Sequence, residues 1–229
     1  MVTLGDLHHR VVLVRESIAQ AAHRVNRDPR DVTVVAVTKN WPAEAVRMAI
    51  EAGLTDIGEN RVQEAAAKIA ALTPETRFHL VGHLQRNKAA KAAGMFDVIH
   101  SVASEELASR LSSAAAHASR VVDVLLQVNV ALDPAKHGIG DADVRRLLSR
   151  LEPLPGIRVV GLMTIGPLAT PEESRPHFRA LRELRDGLAK EHPGIRHLSM
   201  GMSSDYAVAV EEGATMVRIG TVLFGPRTE

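Results

Sequence analysis

Along the whole chain, short aliphatic runs alternate with stretches in which apolar residues recur every three or four positions. The aliphatic runs are rich in Val and Ile and have the length of strands. The stretches between them are rich in Ala, Leu, Glu and Arg and carry the spacing of one-sided helices. The pattern predicts strands at residues 32–37, 55–57, 77–81, 97–100, 122–128, 158–165, 197–200 and 214–219. It predicts an opening helix over about 4–27, a helix entered at Pro42, and others over 63–72, 105–117, 173–190 and 206–212. Proline suits the first turn of a helix because its missing N–H has no partner there. Repeated strand–helix units build a parallel sheet with right-handed crossovers. Eight of them behind an extra N-terminal helix predict an α/β fold closed as a (β/α)8, TIM-type barrel. An open doubly wound sheet is the competing arrangement on periodicity alone. No linker or low-complexity tract interrupts the pattern, so residues 1–229 are expected to form a single domain.

Composition narrows this picture. Of the 229 residues 45% are hydrophobic but only 3% aromatic, which predicts a core of layered aliphatic side chains. The 28 Lys and Arg balance the 27 Asp and Glu, leaving no basic footprint for nucleic acid or anionic lipid. The absence of cysteine excludes disulfides, thiolate nucleophiles and Cys-based zinc sites, and it fits a reducing compartment. The opening residues carry Asp, Arg and Glu where a signal peptide needs an apolar block. No apolar run approaches the roughly 20 residues of a membrane helix. A soluble, cytoplasmic monomer without nucleic-acid or membrane partners is the expectation.

In a barrel, chemistry gathers at the C-terminal ends of the strands. Those positions hold Thr38-Lys39-Asn40, Gly58-Glu59-Asn60, Gly82-His83, His100-Ser101, Met163-Thr164, Gly201-Met202-Ser203-Ser204 and Arg218-Ile219-Gly220-Thr221. Lys39 directly follows a run of Val and Ala, so its amine would sit over an apolar mouth. There the ammonium is disfavoured, as a Schiff-base lysine requires. A lysine after a strand can equally be a snorkelling surface charge, and position alone leaves both readings open. Ser203-Ser204-Asp205 follows a glycine and precedes the helix at 206–212, reading as an N-cap with exposed N–H groups. Such an end can bind phosphate or simply cap. Barrels often build phosphate sites from the loops after strands seven and eight, and Gly220-Thr221 would supply the second half. Strand alternation places Met216, Arg218 and Gly220 on one face; if that face is the interior, the guanidinium there needs partners. The histidines have no metal-ligand spacing, and no metal site is expected. Met48, Met95 and Met163 read as core filler. Arg145, Arg146, Arg150, Arg179, Arg182 and Arg185 read as solvated helix faces.

Several segments together carry a resemblance: VAVTK (35–39), GENRVQE (58–64), FHLVGHLQRNK (78–88), HSVAS (100–104), LLQVNV (125–130), GLMTIGP (161–167) and LSMGMSSDYAVAVEEGATMVRIGTVLFGPR (198–227). In order and spacing, from about residue 5 to residue 227, the chain resembles the pyridoxal 5′-phosphate (PLP) homeostasis protein family, small relatives of the barrel domain of bacterial alanine racemases. The resemblance implies that Lys39 holds PLP as a Schiff base, with phosphate binding by Ser203, Ser204 and the backbone of Gly220 and Thr221. It implies contact of Arg218 with the pyridine nitrogen, and places Asn60, His83 and Met163 along the ring and its 3′-oxygen. Thr38-Lys39-Asn40-Trp41 departs from the commoner Ser-Lys-Thr, and His83 stands where proline is frequent.

Racemases of this kind use an arginine at the pyridine nitrogen and a tyrosine from a second domain as the opposing base. Here the eighth strand is followed only by the stretch to Glu229, and the one tyrosine is Tyr206, in the helix after Ser203-Ser204. The resemblance therefore implies a protein of intracellular PLP homeostasis that buffers PLP and delivers it to apo-enzymes, without robust turnover. The alternatives are a low-activity PLP-dependent amino-acid racemase or lyase, and a PLP-free Schiff-base aldolase, for which only Glu59 offers a carboxylate near the mouth.

Overall fold

The computed structural model describes residues 2–69, 76–167 and 169–226. Eight strands, β1 Thr33–Val37, β2 Asp56–Glu59, β3 Arg77–Leu80, β4 Val98–Val102, β5 Val122–Gln127, β6 Ile157–Met163, β7 His197–Met202 and β8 Met216–Ile219, close into one barrel in sequence order. Every neighbouring pair is parallel, including β1 with β8. The helices between and around them are α1 Leu4–Arg24, α2 Ala43–Glu51, α3 Val62–Ile69, α4 Ala89–Ala93, α5 Glu105–His117, α6 Asp141–Leu151, α7 Pro171–Ala189, α8 Tyr206–Glu211 and α9 Thr221–Phe224. The closed barrel, with α1 ahead of it, matches the predicted architecture rather than the open sheet.

The element ends differ from the pattern-based ones for local reasons. α1 stops at Arg24 because Asn26 turns into the left-handed region at φ 55°. Pro42 is the N-cap of α2 rather than a first-turn residue, with extended backbone at φ −68°, ψ 166°. Part of the helix predicted at 63–72 is α3; residues 70–72 lie outside the described residues. α1 and α7 each begin with a reciprocal capping box, Thr3 with Asp6 and Thr170 with Glu173, which satisfies helix-end N–H groups that have no partner inside the helix.

Strand alternation sorts the core into two regions. Outward-facing Ala36, Ile57, Phe78, Leu80, Ile99, Val124, Leu126, Leu162, Leu198, Val217 and Ile219 pack under the helices in the main apolar cluster. Inward-facing Val35, Val37, Val81 and Met216 form one interior cluster, and Val98, Leu125, Val160 and Met163 another. The same alternation carries Asp56, His79, His100, Ser199 and Arg218 into the barrel. His79, His100 and Ser199 are fully buried, and Arg218 is 5% exposed. Among the described residues no helix is long and apolar enough to cross a membrane, and no group of His, Cys, Asp and Glu could hold a metal ion.

Candidate functional site

At the C-terminal mouth, a cavity of about 570 Å³ is lined by Lys39, Asn60, Ser203, Ser204, Arg218, Gly220 and Thr221 together with apolar Val37, Val81, Ile165, Met202 and Val222. A volume of several hundred Å³ with apolar walls and a few converging polar groups suits a small molecule. Two glycines let the rim close up. A Cβ on Gly82 would stand 2.3 Å from the carbonyl oxygen of Asn60, so glycine is what lets β3's exit pass behind Asn60. Gly201 has φ +88°, and a Cβ there would meet that of Ala209 at 2.5 Å; the β7 loop folds onto α8 only without one.

Lys39 sits in a turn closed by the Trp41 amide donating to the Thr38 carbonyl at 3.0 Å. Asn40 occupies the left-handed region at φ 64°, a conformation asparagine tolerates better than most residues. The turn is anchored from behind. Lys68 Nζ donates to the Thr38 carbonyl at 2.6 Å and bridges Glu59 at 2.6 Å and Glu64 at 2.8 Å. The Thr38 hydroxyl donates to Glu59, and the Asn40 amide donates to Glu64. Glu59 is fully buried and lies on the outward, α3-facing side of β2, so the one carboxylate expected near the mouth is part of this anchor. Burial pushes its carboxyl up, against the hydrogen bonds of Lys68 and Thr38. Trp41, a departure from the family pattern, packs against Phe224 of α9 with ring centroids 6.0 Å apart.

The loops after β7 and β8 interlock. The N-cap of α8 is Asp205, whose carboxylate accepts from the Met202 amide at 2.6 Å, and not Ser203 or Ser204. Ser203 Oγ instead accepts from the amides of Gly220 and Val222, at 3.3 Å each. The hydroxyl thus ties the β7 loop to the start of α9.

Arg218 Nη1 donates to Ser199 Oγ at 2.6 Å and Nη2 to the Thr164 carbonyl at 2.8 Å. Both acceptors are neutral. Burial pushes the guanidinium down to about 10, with the Asp205 carboxylate opposing, so it remains charged at neutral pH.

Two predicted residues fall elsewhere. Met163 is completely buried in the interior cluster with Val98, Leu125 and Val160, away from the cavity lining; its parity on β6 makes it filler. His83 lines a neighbouring depression with Gln85, Asn87 and Ser104, and stacks on His137 with centroids 4.1 Å apart. Burial and then the His137 charge hold its imidazole below the ordinary range. Arg179 and Arg182, read as solvated, converge with Arg175 on the nearly buried Glu212. The roles of Lys68, Glu64 and Ser199 were missed. For Ser199 a signal existed: a polar residue at an inward parity inside an apolar strand.

The alanine racemase N-terminal domain family matches residues 14–228. The pyridoxal phosphate homeostasis protein of Aquifex aeolicus is 42% identical over 221 residues, covering 95% of this chain and 97% of that protein. The pyridoxal phosphate homeostasis protein of Pseudomonas aeruginosa is 40% identical over 225 residues, covering 98% of this chain and 97% of its own. Among solved structures, PipY of Synechococcus elongatus with PLP bound superposes with a TM-score of 0.81 at 45% identity, spanning 91% of this chain and 100% of that one.

Proposed function

Because the chain belongs to the pyridoxal phosphate homeostasis protein family, built on the alanine racemase N-terminal domain fold, we propose that it holds PLP in the barrel-mouth cavity and delivers it to apo-enzymes in the cytoplasm. PLP is its cofactor, and PLP homeostasis its function. The observation that carries the site is the donor set gathered in one cavity: an amine, two serine hydroxyls, loop amides and a buried guanidinium. This set fits PLP group by group. Lys39 is the amine for the aldehyde, and Ser203, Ser204, Gly220 and Thr221 face the phosphate. Asn60 lies along the ring, and Arg218 faces the pyridine nitrogen. Residues 1–229 act as one cofactor-holding domain, as a monomer.

Bound PLP supplies an aldehyde that condenses reversibly with an amine and, in enzymes, an electron sink. Arg218 bears on the strength of that sink without deciding between carriage and turnover, since the related racemases use the same partner. A guanidinium does not give up its proton, so it leaves a facing nitrogen neutral, which weakens such a sink. The 229 residues include a single tyrosine, Tyr206, which is partly buried against the core.

Borohydride treatment of the holo-protein should fix the mass of reduced PLP on the peptide containing Lys39, and Lys39→Ala should lose both the label and the visible absorbance. A label found solely on Lys136 would overturn the assignment. Holo-protein should activate an apo-PLP enzyme, and borohydride should abolish that transfer. With alanine or serine, turnover should stay far below the median enzyme rate of about 10 s⁻¹. Rapid racemisation lost in Lys39→Ala would replace the carrier reading with the enzyme.

A further inference from the structure

A line of buried polar groups crosses the barrel from the Arg218 side of the mouth cavity to the opposite end. Arg218 Nη1 lies 2.6 Å from Ser199 Oγ, which lies 2.8 Å from His100 Nδ1. His100 Nε2 lies 2.9 Å from His79 Nδ1, and His79 Nε2 lies 2.9 Å from Asp56 Oδ1. The two imidazoles meet edge to face, centroids 5.2 Å apart. Asp56 opens β2 at the N-terminal end of the barrel and lines a separate cavity there with Arg15, Thr33 and Thr55. Five strands' worth of packing would accept aliphatic side chains along this line, yet a continuous hydrogen-bonded chain stands in their place.

The two ends fix the chain's direction. A guanidinium has donors and no acceptor, so Ser199 Oγ must accept from Arg218. Asp56 is held below the ordinary carboxyl range: burial raises it, while the hydrogen bond from His79 and the charge of the nearby Arg77 lower it. As a carboxylate it only accepts, so His79 Nε2 carries a proton. With both imidazoles neutral, one arrangement then satisfies every atom. His79 Nδ1 accepts from His100 Nε2–H, and His100 Nδ1 accepts from the Ser199 hydroxyl. His100 is kept neutral by burial first, and the charge of Arg218 acts in the same direction. A proton added at His79 Nδ1 would turn that atom into a donor, reverse the His100 tautomer and leave the serine oxygen accepting from both His100 and Arg218.

We infer that Asp56, at the far end of the barrel from the cofactor cavity, is a positioning residue for Arg218: it sets a one-way hydrogen-bond chain through His79, His100 and Ser199 that fixes the guanidinium edge left to face PLP. The part concerning PLP rests on the function proposed above; the chain itself does not.

The test has two arms. In cofactor-free protein at about pH 8, above the ordinary imidazole range, nitrogen-15 NMR should find His100 neutral with its proton on Nε2. Asp56→Ala should give a mixture of the two His100 tautomers. Asp56→Asn, whose amide oxygen can still accept from His79, should keep the Nε2–H form. In the second arm, Asp56→Ala should weaken PLP binding about fivefold, the effect of one hydrogen bond's net contribution, and Asp56→Asn should restore most of it. A thermal melt of each variant checks that it is folded. A His100 proton on Nδ1 in the wild type overturns the chain, and so does an unchanged tautomer in a folded Asp56→Ala. A changed tautomer with unchanged PLP affinity overturns the link to Arg218. Wild type that does not bind PLP at all sinks the proposed function and the PLP arm with it, while the tautomer arm is still read.

Discussion

Among the described residues two lysine or arginine side chains, Lys68 and Arg218, are buried, and they are partnered in opposite ways. Lys68, 4% exposed between the barrel and α3, has two carboxylates and a carbonyl within 2.8 Å. Arg218, 5% exposed inside the barrel, bonds a hydroxyl and a carbonyl among the described residues. A buried charge with a full set of counter-charges is spent on structure, because nothing of its field is left for a ligand. A buried charge with neutral partners keeps its field, and in a cavity wall that field is available to whatever enters. Lys68 is therefore read as scaffold and Arg218 as part of the site, although both are basic residues next to the same loops.

The largest effect expected follows from the first half of that contrast. Lys68→Met strands Glu59 as a buried carboxylate without its counter-charge, and breaking such a pair costs about 3–5 kcal/mol. For a chain of this size that is a melting point lower by roughly 10 °C. Changing Glu59→Gln in the same chain should return much of the loss. The pH dependence has a defined sign. Burial already holds the Glu59 carboxyl above its ordinary 4.5, and removing Lys68 removes two influences that lower it. A carboxyl raised in the folded state gives its full stabilisation below the ordinary value and loses it as pH rises through the raised one. The deficit of Lys68→Met should thus shrink as pH is lowered from about 8 to about 5. A deficit that grows on acidification would show that Glu59 is not the group left unpaired.

Arg218→Met reverses the pattern. No carboxylate is bonded to it, so the fold should lose less than in Lys68→Met, while PLP affinity should fall about tenfold to a hundredfold, as loss of a charge-assisted hydrogen bond predicts. Equilibrium binding and thermal melts on both variants decide the comparison. If Arg218→Met melts as low as Lys68→Met and binds PLP unchanged, Arg218 is scaffold too.

The unequal legibility of the two cations in the sequence has the same origin. Strand parity alone sets Met216, Arg218 and Gly220 on one face, opposite Val217 and Ile219, and leaves open which face is the interior; the closed barrel makes it the Arg218 face. Lys39, Ser203, Gly220 and Thr221 were legible because strand ends converge in a closed barrel whatever their helices do. Lys68 carried no such signal. A lysine one helical turn after Glu64 reads as an ordinary solvated pair, and only the packing of α3 on β2 brings it to Glu59 and the Thr38 carbonyl. Met163 shows the limit from the other side. It closes β6, yet its inward parity takes it into the interior layer with Val98, Leu125 and Val160. The role of Ser203 was half legible: phosphate loop against cap was an open choice, and the hydroxyl in fact accepts from the amides of the other loop.

The loops after β7 and β8 sharpen the reading of the site. If their amides and the hydroxyls of Ser203 and Ser204 face a phosphate dianion, pyridoxal without phosphate should bind at least tenfold more weakly than PLP, a difference of about 1.4 kcal/mol or more. Titration of both compounds against the same protein checks this, and equal affinities would leave these loops with a purely structural tie through Ser203.

The smallest effect concerns the turn where scaffold and site meet. Thr38-Lys39-Asn40 carries the amine toward the cavity, but its backbone is held by Lys68, Glu59 and Glu64. Asn40 sits at φ 64°, where a residue with a Cβ is strained and glycine is not. Asn40→Gly should therefore change stability by no more than about 0.5 kcal/mol, while Asn40→Ala should cost about 1 kcal/mol. Because the strain falls next to Lys39, PLP affinity should follow stability: unchanged in the glycine variant and at most about fivefold weaker in the alanine variant. A large affinity loss in Asn40→Gly with an unchanged melting point would mean that the asparagine side chain itself touches the ligand. That would move the boundary between scaffold and site from Lys39 to Asn40.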